Sequence, residues 1–298
     1  MKLLIFGRDG QVGTALTAIL APLGAIAAYG HAGADFEHPE DVARLVHREQ
    51  PDFVINAAAH TAVERAETEP ELAHRVNAVT PGRLAEAVAE AGSRLIHFST
   101  DYVFDGEKAE PYVEEDATGP LNAYGASKRA GEVAIAASGA EHIILRTSWV
   151  HAPSHASFVG RILALAAERA ELEVVDDQVG APTSARLIAD IVARIIAQAD
   201  GGRPLPSGIY HLVAAGETSR NGYARFVIEQ ALRLGAELRT MPERVRAVAS
   251  SVHPGLARRP HNSRLSTHKL RSALGYDFPD WRDDLRPTIE ALVGEASA

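Results

Sequence analysis

The sequence contains no cysteine, and aromatic residues make up only 6% of its 298 positions. The absence of cysteine excludes disulfide bonds, thiolate metal sites and a cysteine nucleophile. The formal net charge is -9 at pH 7, and long runs of like charge are lacking, which argues against general nucleic-acid binding. The short apolar start is interrupted by Arg8 and Asp9, so a signal peptide is not predicted. We therefore expect a cytoplasmic protein without a nucleic-acid partner.

Charged residues are also absent from positions 10–34, a stretch long enough to raise the question of a membrane span. Pro22 and Gly24 lie in its middle and interrupt any continuous helix there. The stretch is better interpreted as the end of a helix and the start of a strand. No membrane partner is expected.

Short apolar runs alternate with amphipathic stretches along the first half of the chain, which is typical of a parallel sheet covered by helices on both faces. The predicted strands are 3–6, 25–29, 53–56, 94–98 and 142–146, and the predicted helices are 11–21, 39–50, 72–91 and 124–137. The fold class is therefore α/β, a Rossmann-type doubly wound parallel sheet with a smaller C-terminal substrate-binding part.

We predict a dinucleotide-binding domain over residues 1–150 and a substrate-binding part over 151–298, with a segment near 172–198 returning to pack on the sheet. A helix over 185–198 is indicated by apolar residues at helical spacing, and a strand over 209–213 follows a loop rich in Gly and Pro. The irregular stretch 256–285, rich in Arg, His and Pro, predicts loops over a site.

A glycine-rich turn follows the first strand and opens the first helix, with Gly7, Gly10 and Gly13 at three-residue spacing. Small residues in this position let the diphosphate of a dinucleotide approach the backbone N–H groups at a helix N-terminus. Gln11 and Val12 lie in the same turn. The pattern predicts dinucleotide binding, although its spacing differs from the tighter G-x-G-x-x-G fingerprint.

The second strand ends in Tyr29-Gly30-His31, where many such proteins place an acidic residue for the ribose hydroxyls. No carboxylate is offered there, and Arg8 can meet a 2′-phosphate. We therefore expect NADPH as the cofactor, with NADH as the alternative. Asp35 and Phe36 are candidates to hold the adenine, although a helix-cap role is an equal alternative for Asp35.

A tyrosine and a lysine four residues apart, Tyr124 and Lys128, are predicted on one face of a helix. A fixed ammonium favours the phenolate, so Lys128 is expected to bring the pKa of Tyr124 closer to neutral for proton transfer. Thr100 follows the strand 94–98, at the edge of the sheet where ligands of α/β proteins bind. These three residues are the candidate catalytic group.

These motifs together resemble the extended short-chain dehydrogenases/reductases, over nearly the whole length of the chain. The segments that carry the resemblance are 6–13, 56–63, 99–104, 124–128, 146–150, 177–183 and 259–265. The resemblance implies that Tyr124 donates a proton, that Lys128 assists it and binds the nicotinamide ribose, and that Thr100 lies beside the substrate carbonyl. It further implies substrate contacts by Asp101 and Trp149, and cofactor contacts by Ala59, His60 and Thr61.

The reaction implied is reduction by NADPH of the C4 keto group of dTDP-linked 4-dehydro-6-deoxy-L-mannose to dTDP-L-rhamnose. Arg259 and Arg264, in the basic late loop, are candidates to bind the substrate, with a solvated loop as the alternative. Two other functions stay open: reduction of a related nucleotide-linked 4-keto sugar, and a non-catalytic role like that of the methionine adenosyltransferase regulatory subunit.

Some proteins of the resembled family form a dimer bridged by magnesium through carboxylates. Two of the matching positions here are Ala15 and Arg186, whose side chains cannot bind Mg²⁺. We therefore expect no bound metal, and either a monomer or a metal-free homodimer.

Overall fold

The computed structural model describes residues 1–252 and 254–296 of the chain. Its strands, in chain order, are β1 (Lys2–Phe6), β2 (Ala25–Tyr29), β3 (Phe53–Asn56), β4 (Arg94–Thr100), β5 (Glu141–Thr147), β6 (Val150–His151), β7 (Leu172–Val175), β8 (Val179–Gly180), β9 (Thr183–Ser184), β10 (Gly208–His211), β11 (Thr218–Ser219) and β12 (Val245–Val248). Its α-helices are α1 (Gln11–Leu20), α2 (Pro39–Glu49), α3 (Val63–Thr68), α4 (Pro70–His74), α5 (Thr80–Glu90), α6 (Ala123–Ala137), α7 (Phe158–Glu168), α8 (Ala185–Asp200), α9 (Arg220–Arg233), α10 (His268–Leu274) and α11 (Trp281–Ala296).

The centre of the protein is a six-stranded parallel sheet with the strand order β10-β5-β4-β3-β1-β2. Successive residues of β1 point to opposite faces of this sheet. Leu3 and Ile5 join a core that contains α1 and α8, whereas Leu4 and Phe6 join a core that contains α2 and α5. Helices therefore cover both faces, and the predicted doubly wound α/β class is confirmed.

The order of strand addition reverses between β1 and β3, since β2 lies on one side of β1 and the later strands of this sheet lie on the other. At such a reversal the loops that follow the two strands diverge and leave a crevice at their carboxyl ends. The loops here begin at Gly7 and Ala57. The crevice therefore opens beside the glycine-rich turn.

The second half of the chain contributes to this sheet, because β10 pairs with β5. The helix α8 packs against α1 on one face of the sheet, and β7 pairs with β12 outside it. Tyr223 of α9 and Trp281 of α11 are 1% exposed and belong to the same apolar cluster as β1. One continuous core thus joins the two halves.

The long helix predicted over 72–91 is divided into α4, a π-helical turn (Arg75–Val79) and α5. Pro81 has no N–H to donate to the carbonyl of Asn77, four residues earlier, so regular hydrogen bonding cannot continue through this point. The interruption places the Asn77 side chain, which is 0% exposed, in contact with the site described below.

The prediction of loops throughout 256–285 is wrong from residue 268 onward, because α10 and the first turn of α11 lie in that part of the range. Apolar residues such as Leu270 and Leu285 are fully buried there, and this burial outweighs the high Arg and Pro content. Across residues 1–252 and 254–296, the helices are all too short or too polar to cross a membrane.

Candidate active site

The glycine-rich turn after β1 requires glycine at two positions. Gly7 has a φ of +83°, and a Cβ atom there would lie 2.6 Å from the backbone carbon of Ala57. A Cβ atom at Gly13 would lie 2.0 Å from the carbonyl oxygen of Gly7. Any side chain at either position would push the turn away from β3 or from α1.

The N-terminus of α1 begins at this turn without a side-chain cap, and its first turn has no acidic residue. The N–H groups of Gln11, Val12 and Gly13 have no partner within the helix, as at every helix N-terminus. They are suited to bind an anion, and the helix dipole favours negative charge in the same place. The residues present therefore fit the diphosphate of a dinucleotide.

The expectation that no carboxylate reaches the end of β2 is wrong. The Asp9 carboxylate lies against Gly30, where an added Cβ atom would be 1.7 Å from its Oδ2 atom. The same carboxylate is 3.2 Å from the Arg8 guanidinium. The glycine-rich turn, rather than β2 itself, supplies this acidic group, and local sequence alone did not reveal that approach.

The Phe36 side chain belongs to the core rather than to a ligand site. It is 4% exposed, and its ring meets that of Phe6 edge-on at 5.5 Å. The Asp35 carboxylate lies nearer the surface and accepts the backbone N–H of Glu37 at 2.9 Å, so it closes a local turn and does not cap α2, whose N-cap residue is His38. A contact of this segment with adenine stays a prediction for Asp35 and the backbone.

The loop after β3, which contains Ala59, His60 and Thr61, is fixed to the catalytic helix by Asn77. The Asn77 amide accepts the N–H of His60 at 2.9 Å and donates to its carbonyl at 3.0 Å. The same amide nitrogen donates to the Ser127 hydroxyl of α6 at 3.0 Å. The sequence analysis missed Asn77, whose signal was a polar residue on the buried face of a predicted helix.

Helix α6 presents Tyr124 and Lys128 on one face, as predicted from their spacing. Asn122 caps the helix by accepting the N–H of Gly125 at 2.8 Å. The Lys128 side chain is 2% exposed, and its Nζ atom lies 3.2 Å from Nε2 of His97 on β4. Burial lowers the pKa of Lys128 to about 8.

Thr100 lies at the end of β4 and forms a hydrogen bond with the Tyr124 phenol. The same hydroxyl lies 3.1 Å from Asp101 Oδ1, and its single proton can be donated either to this carboxylate or to the phenol. Asp101 is 3% exposed, and burial raises its pKa to about 6. The structure thus brings Tyr124, Thr100 and Asp101 together, with Lys128 one helical turn along α6.

The expected effect of Lys128 on the pKa of Tyr124 is not seen. Burial raises the pKa of Tyr124 above its ordinary value, and the hydrogen bond with Thr100 opposes this only in part. The Lys128 amine contacts His97 instead. The phenol is therefore kept protonated around neutral pH, which suits a proton donor.

A cleft of about 860 Å³ joins the glycine-rich turn to the late loop, and its lining includes Gln11, Trp149, Arg220 and Arg259. Trp149 has a φ of +48°, which is unusual for a residue other than glycine. The Arg220 guanidinium lies 3.7 Å from the centre of the Trp149 ring. Arg220 was missed by the sequence analysis because it is distant in sequence from every motif identified.

The late loop is held over the cleft by Glu64 of α3. Its carboxylate accepts the N–H groups of Leu256 at 2.8 Å and Ala257 at 3.1 Å, and the Arg259 guanidinium at 3.0 Å. These hydrogen bonds hold the pKa of Glu64 below its ordinary value. Arg259 also lines the cleft, and its predicted contact with the substrate stays a prediction.

Arg264 has a different environment from Arg259. Its Nε atom donates to Asn262 Oδ1 at 2.9 Å, and its Nη1 atom lies 3.2 Å from the Glu217 carboxylate. A further hydrogen bond joins it to the carbonyl of Ala109. All three partners belong to the protein, so Arg264 tethers the loop, and a contact with substrate stays a prediction.

Within the described ranges, the acidic and histidine side chains form no group of three or more that could hold a metal ion. Arg186, at one of the positions considered for magnesium, lies 3.9 Å from the Asp190 carboxylate on the same helix. The expectation of a metal-free protein stays a prediction.

The family model described as the RmlD substrate binding domain matches residues 1–293. A dTDP-4-dehydrorhamnose reductase of Shigella flexneri is 45% identical over 296 residues, which cover 98% of each protein. A crystal structure of the Clostridium acetobutylicum dTDP-4-dehydrorhamnose reductase superposes with a TM-score of 0.89 at 31% identity, covering 98% of this chain and 99% of that one. The Bacillus anthracis dTDP-4-dehydrorhamnose reductase, solved in complex with NADP, gives a TM-score of 0.87 at 29% identity, covering 96% and 98%. The chain therefore belongs to the RmlD substrate binding domain family.

Proposed function

We propose that this protein reduces the C4 keto group of dTDP-4-dehydro-6-deoxy-L-mannose with NADPH and so forms dTDP-L-rhamnose. The observation that carries the proposal is the meeting of Tyr124 and Thr100 at the carboxyl end of β4, in a chain 45% identical to a curated reductase of this name. The proton donor Tyr124, the hydroxyl of Thr100 and the buried Lys128 are all present. A regulatory protein without catalysis would not need this set.

NADPH, when bound, supplies the hydride. The N–H groups at the start of α1 would hold its diphosphate, and the loop containing Ala59, His60 and Thr61 would lie along it. Lys128 would donate to the nicotinamide ribose. Arg8 is the candidate partner of the 2′-phosphate, and its exposed guanidinium lies 3.2 Å from Asp9, a pair that a phosphate would have to displace.

Tyr124 is the proton donor in this mechanism. Hydride addition to the C4 carbon places negative charge on the former carbonyl oxygen, and the protonated phenol transfers its proton to that oxygen. Burial keeps the phenol protonated before the reaction. Thr100 hydrogen-bonds the phenol and orients it, and stabilisation that is strongest as the charge develops is what lowers the barrier.

The nucleotide sugar would occupy the cleft beside Trp149. Arg220 and Arg259 both line this cleft, and arginine guanidinium groups form paired hydrogen bonds with phosphate oxygens. Asp101, at the end of β4, is placed to contact the sugar. Arg220 and Arg259 would bind the diphosphate, with Arg264 in a supporting position.

We place the protein in the cytoplasm as a monomer or a metal-free homodimer, with cofactor binding over 1–150 and substrate binding over 151–298. The acidic net charge of -9 supports the absence of a nucleic-acid partner.

The test is the loss of NADPH absorbance with dTDP-4-keto-6-deoxyglucose, with and without an added 3,5-epimerase. We expect oxidation that requires the epimerase and that falls about 100- to 10,000-fold in Tyr124→Phe. Tyr276→Phe is the matched control. It removes the same phenol hydroxyl from a residue just after the C-terminus of α10, and it should keep full activity. Oxidation without the epimerase would point to a related keto sugar, and cofactor binding without any oxidation would contradict the reductase assignment.

A further inference from the structure

Three buried polar side chains connect β3, β4 and α6 behind the catalytic tyrosine. Asn56 and His97 are both 0% exposed, and Lys128 is 2% exposed. The Nδ2 atom of Asn56 lies 3.0 Å from Nδ1 of His97, and Nε2 of His97 lies 3.2 Å from Nζ of Lys128. The proposed reaction gives no role to His97.

The direction of these hydrogen bonds follows from the backbone. Asn56 Oδ1 accepts the N–H of Ala58 at 3.0 Å, so its amide nitrogen faces His97 and donates to Nδ1. A neutral imidazole that accepts at Nδ1 carries its proton on Nε2. His97 therefore directs an N–H group at the nitrogen of Lys128.

An N–H group of this kind distinguishes between the two forms of lysine. It can donate to the lone pair of a neutral amine, whereas an ammonium has donors only and no lone pair. A hydrogen bond made only to the neutral form lowers the proton affinity of the group. The contact thus favours an uncharged Lys128.

We propose that His97 is a positioning residue, whose Nε2–H fixes the Lys128 nitrogen and favours the neutral amine until a cofactor ribose offers it new partners. This inference rests on the proposed function, in which Lys128 binds the ribose. Burial acts in the same direction, since it lowers the pKa of Lys128 to about 8 and that of His97 well below its ordinary value.

The other charged groups around the amine do not replace this contact. Glu132, one turn further along α6, favours the ammonium. Its carboxylate is bound by Arg146 of β5 at 2.8 Å and by Ser99 of β4 at 2.6 Å. The positive charge of Arg146 offsets much of the negative charge of Glu132. Glu132 therefore does not mask the effect of His97 on the pKa of Lys128.

The experiment measures NADPH binding from about pH 6 to about pH 10 by protein fluorescence, without any sugar substrate. A protonated Lys128 binds the ribose better, so affinity reports its titration. In His97→Leu we expect the midpoint to rise by about half a pH unit or more, because the N–H that favoured the neutral amine is lost. His97→Gln, whose amide can accept from Asn56 and donate to Lys128, should restore the midpoint.

His151→Leu is the matched control, because His151 is also 0% exposed but hydrogen-bonds Thr288 at 3.1 Å instead. It should leave the midpoint unchanged. An unchanged or lowered midpoint in His97→Leu, with NADPH still bound, would overturn the inference. Failure of the unaltered protein to bind NADPH at any pH would instead contradict the proposed function.

Asn56→Asp provides the test if His97→Leu does not fold. The new carboxylate would accept both the Ala58 N–H and a proton on His97 Nδ1, which turns Nε2 into an acceptor for the ammonium. The midpoint should again rise. A midpoint equal to that of the unaltered protein would overturn the inference here as well.

Discussion

Substitution of Glu132 by glutamine should strongly destabilise the protein, because it leaves a buried positive charge without its partner. Glu132 and Arg146 are each 1% exposed. Two hydrogen bonds of 2.8 Å, from Nε and Nη2 of Arg146, join them, and the remaining Nη1 atom has no hydrogen-bond partner among the described residues. Breaking one side of such a pair typically costs about 3–5 kcal/mol. For a chain of this size, that corresponds to a fall of about 10 °C in Tm.

Thermal unfolding followed by circular dichroism measures this effect, with Arg129→Ala as the control. Arg129 lies 3.1 Å from the same carboxylate, but its side chain is 35% exposed, so its loss should cost about 1 kcal/mol or less. Removing both charges in Glu132→Leu/Arg146→Met should recover stability relative to Glu132→Gln. Equal Tm values for Glu132→Gln and Arg129→Ala would refute the assignment of a tightly coupled buried pair.

Three further changes test the glycine-rich turn, the late loop and the buried carboxyl group. Gly13→Ala should weaken NADPH binding by about 100-fold or more in a fluorescence titration, because its Cβ atom would lie 2.0 Å from the carbonyl oxygen of Gly7. The control is Gly294→Ala, whose Cβ atom would have no atom within 4 Å and which should bind NADPH normally. Glu64→Gln should raise KM about three- to tenfold with little change in kcat, since it weakens the hydrogen bonds that hold the late loop, and an unchanged KM would contradict this. Burial raises the pKa of Asp101 from 3.8 to about 6, so its contribution to stability is present below about pH 4 and lost as pH rises through about 6. At pH 7–8 the free energy of unfolding of Asp101→Asn should therefore exceed that of the unaltered protein by up to about 3 kcal/mol, and thermal melts should show a higher Tm. The difference should vanish near pH 4. The variant should also have lower activity.

The fold was predictable because its main determinant is local. Strands buried on both faces form continuous apolar runs, as in Leu3–Phe6, and helices with one buried face show apolar residues at helical spacing. Boundaries mostly agreed within one or two residues. The divided helix before α5 was not predicted, because the spacing of apolar residues does not show that Pro81 lacks the N–H group that the carbonyl of Asn77 would accept.

The catalytic residues were predictable for a related reason, since Tyr124 and Lys128 are neighbours on one helix and Thr100 ends a strand. The surroundings of these side chains could not be predicted from the sequence. Whether a lysine four residues from a tyrosine lowers the pKa of that tyrosine depends on where its amine points, and here it points at His97. Likewise Asp9 reaches Gly30 only because β1 and β2 are adjacent in the sheet.

Helix α6 shows how the fold turns these separate contacts into one site. Tyr124, Lys128 and Glu132 follow one another at four-residue spacing, so all three face the carboxyl half of the sheet. Each meets a different partner there: Thr100, His97 and Arg146, respectively. The ion pair of Glu132 holds the helix against β5, and Tyr124 and Lys128 on the same helix then have little freedom to move. A change at Glu132 should for this reason alter catalysis as well as stability, although its carboxylate contacts neither substrate nor cofactor in the proposed mechanism.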